Sequence, residues 1–129
     1  MTSETKGTYF HGGDRGLQVG DFILPQSETG VAGMSHPLHR KDRAYITPSI
    51  VDAHFYASDP DHAKPVVYVV KPEGEIEQDP DCNRLGGSFT CQKAKIIGIK
   101  KVPGKVIKKN RKAMIKNMHR LEAKKAARQ

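Results

Sequence analysis

Apolar residues fall in short runs cut off by proline and glycine, and a helical period emerges only in the last quarter of the chain. The strongest run is Val66-Val67-Tyr68-Val69-Val70, five β-branched or aromatic residues between Pro65 and Pro72. It has no polar alternation, so it predicts a strand buried on both faces. Phe22-Ile23-Leu24 ahead of Pro25, Ala44-Tyr45-Ile46-Thr47 ahead of Pro48, and Ile96-Ile97-Gly98-Ile99 predict three more strands. Gly98 marks a bulge in the last of them. Ser49 to Ala57, SIVDAHFYA, predicts a short helix in which Ser49 caps the amide side and Asp52 follows three residues on, a variant of the capping box. The polar stretch from Pro25 to Gly33 and the segment from Gln78 to Gly87, with D-P-D and G-G, predict loops. From Val106 onward, Ile107, Met114, Met118 and Leu121 share one stripe at spacings of seven, four and three, with lysine and arginine opposite. That pattern predicts an amphipathic helix over about 105–127, its apolar stripe docked on the rest of the fold. There is no internal repeat and no composition break, so residues 1–129 read as a single α+β domain.

Charge changes the picture more than composition does. Residues 1–90 carry 8 Lys/Arg against 13 Asp/Glu, whereas residues 91–129 carry 14 Lys/Arg against Glu122 alone. The asymmetry speaks to partners rather than to fold. The helix could neutralise several phosphates of a nucleic acid or dock on an acidic macromolecule, although it lacks the interleaved aromatics that stack on bases. A plain solvated face explains the same charges. The two cysteines, Cys82 and Cys91, form no C-x-x-C and no disulfide framework. A reduced, cytoplasmic, monomeric protein is expected. No apolar run is long enough to cross a bilayer and the first ten residues lack a signal-type apolar core, so no membrane association is expected.

The candidate chemistry begins at YFHGGDRG, Tyr9 to Gly16. A histidine followed by two glycines reads as a turn that presents a polar ring to a ligand; an ordinary turn histidine reads the same way. His11, Tyr45 in a predicted strand and Asp79 in the loop after the strongest strand could meet only through the fold. His36 and His39, spaced by three around Pro37, and His54 and His62 form no preorganised metal set, and no metal is expected. A dinucleotide fold of the Rossmann type is excluded, because no G-x-G-x-x-G joins a strand to a helix. No nucleophile elbow is present either.

Several segments, in order, resemble the small rifamycin ADP-ribosyltransferases: YFHGG, LQVGDFILP, RAYITPSIVDAHFYA, VYVVKPEGEIEQDPD and SFTCQKAKIIGI. The resemblance implies an ADP-ribosyltransferase-like α+β fold and an enzyme that moves ADP-ribose from NAD, a cosubstrate, to a hydroxyl of a rifamycin-type antibiotic, releasing nicotinamide. It implies catalytic roles for His11, Tyr45 and Asp79. His11 would hydrogen-bond the NAD ribose, and Tyr45 would pack on or beside the nicotinamide. Asp79 would face the reacting sugar, where negative charge helps most, and could orient the acceptor hydroxyl; Asp81 is its rival. Gly12 would pair its backbone with the nicotinamide carboxamide, a side chain there crowding the ligand. Thr47 and Ser49 could donate to NAD, with Ser49 as helix cap the competing role. The chain departs from the family pattern where a threonine usually follows H-G and Gly13 stands instead. It departs again in a shortened loop reduced to Gly86-Gly87-Ser88, and in Phe89-Thr90-Cys91. These departures leave a protein or nucleic acid acceptor as one alternative, and a non-catalytic module that binds nucleic acid through its basic end as another.

Overall fold

The computed structural model describes residues 7–25, 43–79 and 87–127. His36, His39, Asp81, Cys82 and Gly86 lie outside the described residues, as does the side chain of Leu121. Seven strands and two helices follow in chain order: β1 (Tyr9–Asp14), β2 (Phe22–Ile23), β3 (Ala44–Ile46), α1 (Ile50–Ala57), β4 (Pro65–Glu73), β5 (Glu77–Gln78), β6 (Phe89–Cys91), β7 (Lys93–Lys101) and α2 (Gly104–Ala127). The class is α+β, as the sequence predicts.

Two antiparallel sheets form the frame, one of four strands in the order β1-β4-β7-β2 and one of three in the order β3-β6-β5. The central strand β4 explains its own composition. Val66, Tyr68 and Val70 point to one face, where they join Ile23, Ala44, Ile46, Cys91, Ala94 and Ile96 in the core between the sheets. Val67 points to the other face and packs with Ala53, Ala57 and Val102 under the two helices. Burial on both faces is what an unbroken apolar run provides. β4 also runs on through Pro72. β1 stops at Tyr9, opposite Val70, so Pro72 keeps β7 as its sheet neighbour and the missing N–H falls where β4 has become an edge. The β4–β7 register slips between Val69 and Val70, where Gly98 and Ile96 are consecutive partners and Ile97 is the extra residue. That bulge lies beside Gly98, as expected.

The helices differ in how they are held. α1 starts at Ser49, whose hydroxyl accepts from the Asp52 amide at 3.2 Å, and its Ala53 and Ala57 are fully buried against the sheet. α2 docks through Val106 and Ile107. Asn110 reaches the Ser58 hydroxyl at 3.2 Å. Arg111 donates to the carbonyls of Ser58, Asp59 and His62 at 2.9, 3.3 and 2.9 Å, closing the open end of α1. Beyond Arg111 the expected docking fails. Met114 is half-buried, but Ile115 and Met118 are 49% and 55% exposed, so the helix leaves the surface after two turns.

The largest correction concerns Tyr9–Asp14. The expected glycine turn is a six-residue strand on the edge of the larger sheet. Among the described residues only Gly16, Gly20 and Gly74 take positive φ, so neither Gly12 nor Gly13 is turning the chain. A Cβ on Gly12 would lie 2.2 Å from the Ala53 carbonyl oxygen and 2.6 Å from the Ala57 nitrogen. Gly12 is therefore small because α1 lies across it, which corrects the expectation that a ligand alone demands the space.

Candidate active site

A single antiparallel bridge joins the sheets where β1 meets the end of β3: Phe10 and Thr47 exchange both backbone hydrogen bonds, at 2.7 and 2.9 Å. Three predicted site residues gather at this seam. His11 follows Phe10 in β1, with its ring on the face shared with Tyr68 (ring centroids 6.4 Å apart). Its Nδ1 lies 2.8 Å from the Tyr45 carbonyl oxygen. A carbonyl only accepts, so Nδ1 carries the proton and the neutral ring keeps Nε2 as an acceptor. Desolvation is the main influence on this imidazole and lowers its pKa below the ordinary 6.5. The bond to Tyr45 works the other way, and charge at His62 adds to the lowering. His11 is thus held neutral with one ring nitrogen fixed and the other able to receive a hydroxyl proton.

The three-stranded sheet separates apolar from polar by simple alternation. Ala44 and Ile46 of β3, with Phe89 and Cys91 of β6, face the core. Arg43, Tyr45 and Thr47, with Ser88 and Thr90, take the opposite face. The register sets Tyr45 against Thr90 and Thr90 against Glu77. One step along, the Asp79 amide donates to the Ser88 carbonyl at 3.1 Å, and the Ser88 hydroxyl donates to Asp79 Oδ2 at 2.8 Å. Asp79 is only 6% exposed. Thr47 is buried next to this pair and its hydroxyl donates to the Gly87 carbonyl at 2.7 Å. A continuous set of contacts therefore runs from His11 through Phe10 and Thr47 to Gly87, Ser88 and Asp79.

The remaining candidates divide. Ser49 serves as the cap of α1, and its amide donates to the Thr47 hydroxyl at 3.1 Å. The Thr47 hydroxyl proton is thus committed to the Gly87 carbonyl, whereas the Ser49 hydroxyl is engaged as an acceptor. Gly12 shares with Phe10 the side of β1 that looks away from β4, because alternate residues of an antiparallel strand send their N–H and C=O the same way. Its backbone polar groups are therefore directed along the seam, one step past Thr47.

Two residues that sequence reasoning did not single out complete the arrangement. Ser88 holds Asp79. Arg43, on the polar face of β3, donates to the Thr90 hydroxyl and carbonyl at 3.3 and 3.2 Å and to the Glu75 carbonyl at 2.7 Å, with Glu77 at 3.9 Å. One guanidinium thereby ties β3 to β5 and β6. The polar–apolar alternation of R-A-Y-I-T and S-F-T-C carries the signal for both. Cys91 is the reverse case: burial pushes its thiol up to about 11, so it is an inert core residue.

The seam combines a fixed neutral imidazole on β1, the Tyr45 carbonyl of β3 and a buried carboxylate just past β5, and comparison with known families defines the class as an ADP-ribosyl transferase. Residues 9–94 match the model of one such family, and the chain belongs to it: the rifampin ADP-ribosyl transferases. The matched region contains β1 to β6, α1 and every residue described at the seam, and it ends at Ala94, short of α2. No curated protein matches the chain.

Proposed function

We propose that the protein transfers ADP-ribose from NAD to a hydroxyl of a rifamycin-type antibiotic, with NAD held along the seam between the sheets. The bond between the ribose anomeric carbon and the nicotinamide nitrogen breaks, and nicotinamide leaves neutral with the electron pair. The drug hydroxyl then bonds to the anomeric carbon and gives up its proton. Because the leaving group starts cationic, the demand on the protein is to position the dinucleotide and to stabilise positive charge spreading over the sugar.

In this reading His11 Nε2 accepts a ribose hydroxyl, Gly12 pairs its backbone with the carboxamide, and Tyr45 packs beside the nicotinamide ring. Asp79 lies against the cationic sugar and orients the incoming hydroxyl. Thr47 acts through the backbone it holds, and the hydroxyl of Ser49 keeps a proton to donate to NAD while it caps α1. The observation that carries the reading is the Nδ1 bond of His11 to the Tyr45 carbonyl, since it couples two of the three residues and leaves the acceptor nitrogen needed for a ribose. The experiment is incubation with NAD and rifampicin. Release of nicotinamide together with a drug product heavier by one ADP-ribose is expected. Nicotinamide release without a drug product would point to another acceptor, and no release would overturn the reading.

A further inference from the structure

α2 has a second face that the proposed transfer chemistry does not use. Lys105, Lys108, Lys109, Lys112 and Lys116 recur at spacings of three, one, three and four, which places them on one side of the helix. All five are exposed. The residues that dock the helix, Val106, Ile107, Asn110 and Arg111, lie on the opposite side. The ion pairs of the described residues, Arg43–Glu77 and Lys93–Glu73, leave these lysines out. No acidic residue occupies the first turn. At 1.5 Å of rise per residue the stripe is about 16 Å long and nearly straight.

We propose that this stripe binds the phosphate backbone of nucleic acid without regard to sequence. Charge complementarity is direct: a DNA duplex carries about one negative charge per 1.7 Å of its axis, so the stripe meets about nine of them along its length. The side chains argue for backbone contact over base reading. Lysine is a compact point charge that suits phosphate oxygens, whereas bidentate reading of guanine favours arginine and stacking needs aromatic rings. The one arginine among the first eight residues of α2, Arg111, is committed to three carbonyls of the fold. An acidic protein partner fits less well, because its energetic anchors are aromatic residues and arginines in desolvated pockets, and this face offers neither.

The test measures binding of the full chain to short labelled DNA duplexes of two unrelated sequences by fluorescence anisotropy. Equal affinity for both is expected, falling about 500-fold between 50 and 200 mM salt if five phosphates are engaged. Replacing the five lysines together by glutamine should abolish binding, with helix content unchanged by circular dichroism. Replacing all five by arginine should restore it. Replacing Lys64, Lys71, Lys95, Lys100 and Lys101 by glutamine removes the same charge elsewhere and should leave most of the affinity. The proposal is overturned if the wild-type chain does not bind at 50 mM salt, if the two sets of replacements weaken binding equally, or if Ile115→Ser with Met118→Ser abolishes it. Binding to phosphatidylserine vesicles without binding to DNA would also overturn it. Transfer to a free drug does not enter the readout, so this proposal and the proposed activity fail independently.

Discussion

At the scale of single residues, the two glycines after His11 have opposite tolerances. Gly12 lies under α1 with backbone atoms where a Cβ would go, whereas a Cβ on Gly13 would lie 3.5 Å from His11 Nε2 and from Tyr68, an ordinary contact. Gly12→Ala should therefore lower stability by about 2–3 kcal/mol through overpacking. Gly13→Ala, in a strand where glycine has no conformational task, should be neutral or stabilising by up to about 1 kcal/mol. Urea denaturation of both variants checks this, and equal losses would contradict it. Gly13 also explains what its replacement of a threonine does: it opens space against the acceptor nitrogen of His11. His11 itself should set a pH dependence. Its imidazole is held below 6.5 in the folded state and returns to about 6.5 on unfolding, so below that pH the unfolded chain binds the extra proton. Stability attributable to neutral His11 is thus present above pH 6.5 and is lost as pH falls, by up to about 1.4 kcal/mol per unit until the folded ring protonates. His11→Gln should flatten this fall as the pH drops below 6.5, and an unchanged slope would locate the effect in other histidines. Residue types and order singled out His11, Tyr45 and Asp79 as candidates in the sequence. The tautomer of His11 and the helix above Gly12 were not legible, because both depend on residues 34 or more positions away.

At the scale of elements, long runs, a capped helix and the proline-bounded strands β2 and β3 were readable, and β5 and β6 were not. The run from Val66 to Val70 and the S-x-x-D start of α1 each carry enough local signal to name an element. β5 and β6 are two and three residues long and gain their structure from neighbours, chiefly from the reach of Arg43 across all three strands. Tyr9–Asp14 misled for a physical reason. Paired glycines usually mark turns, but here Gly12 sits in a strand and must be small because α1 crosses it there. The docking of α2 was only half legible. A helical stripe of apolar residues predicts burial, but Val106 and Ile107 pack on the fold while Ile115 and Met118 stay exposed. The attachment is strengthened by Arg111, which serves three carbonyls of the turn after α1. Arg111→Met should destabilise the fold by about 1.5–3 kcal/mol, the range for hydrogen bonds to a charged group. A loss no larger than that of Lys112→Met, one residue along on the exposed face, would contradict this.

At the scale of the whole molecule, two antiparallel sheets are bridged at Phe10 and Thr47, and the proposed chemistry is placed at that seam because strands distant in sequence approach there. The larger sheet carries the fixed imidazole of His11; the smaller carries Tyr45, and Asp79 follows directly after its strand β5. The helices sit on the far face of the larger sheet, so α2 can carry its positive charge without entering the seam. The arrangement divides labour in a way that one variant can read out. Asp79→Asn keeps the shape and a hydrogen bond to Ser88 while removing the negative charge that the proposed function sets against the sugar cation. The most direct measurement is therefore the rate of ADP-ribose transfer to rifampicin by Asp79→Asn, taken beside its dissociation constant for NAD. The account predicts transfer slowed by about 100- to 1,000-fold, the usual cost of one electrostatic stabiliser, with NAD affinity nearly unchanged. Transfer at the wild-type rate, or a loss explained entirely by weaker NAD binding, would contradict it.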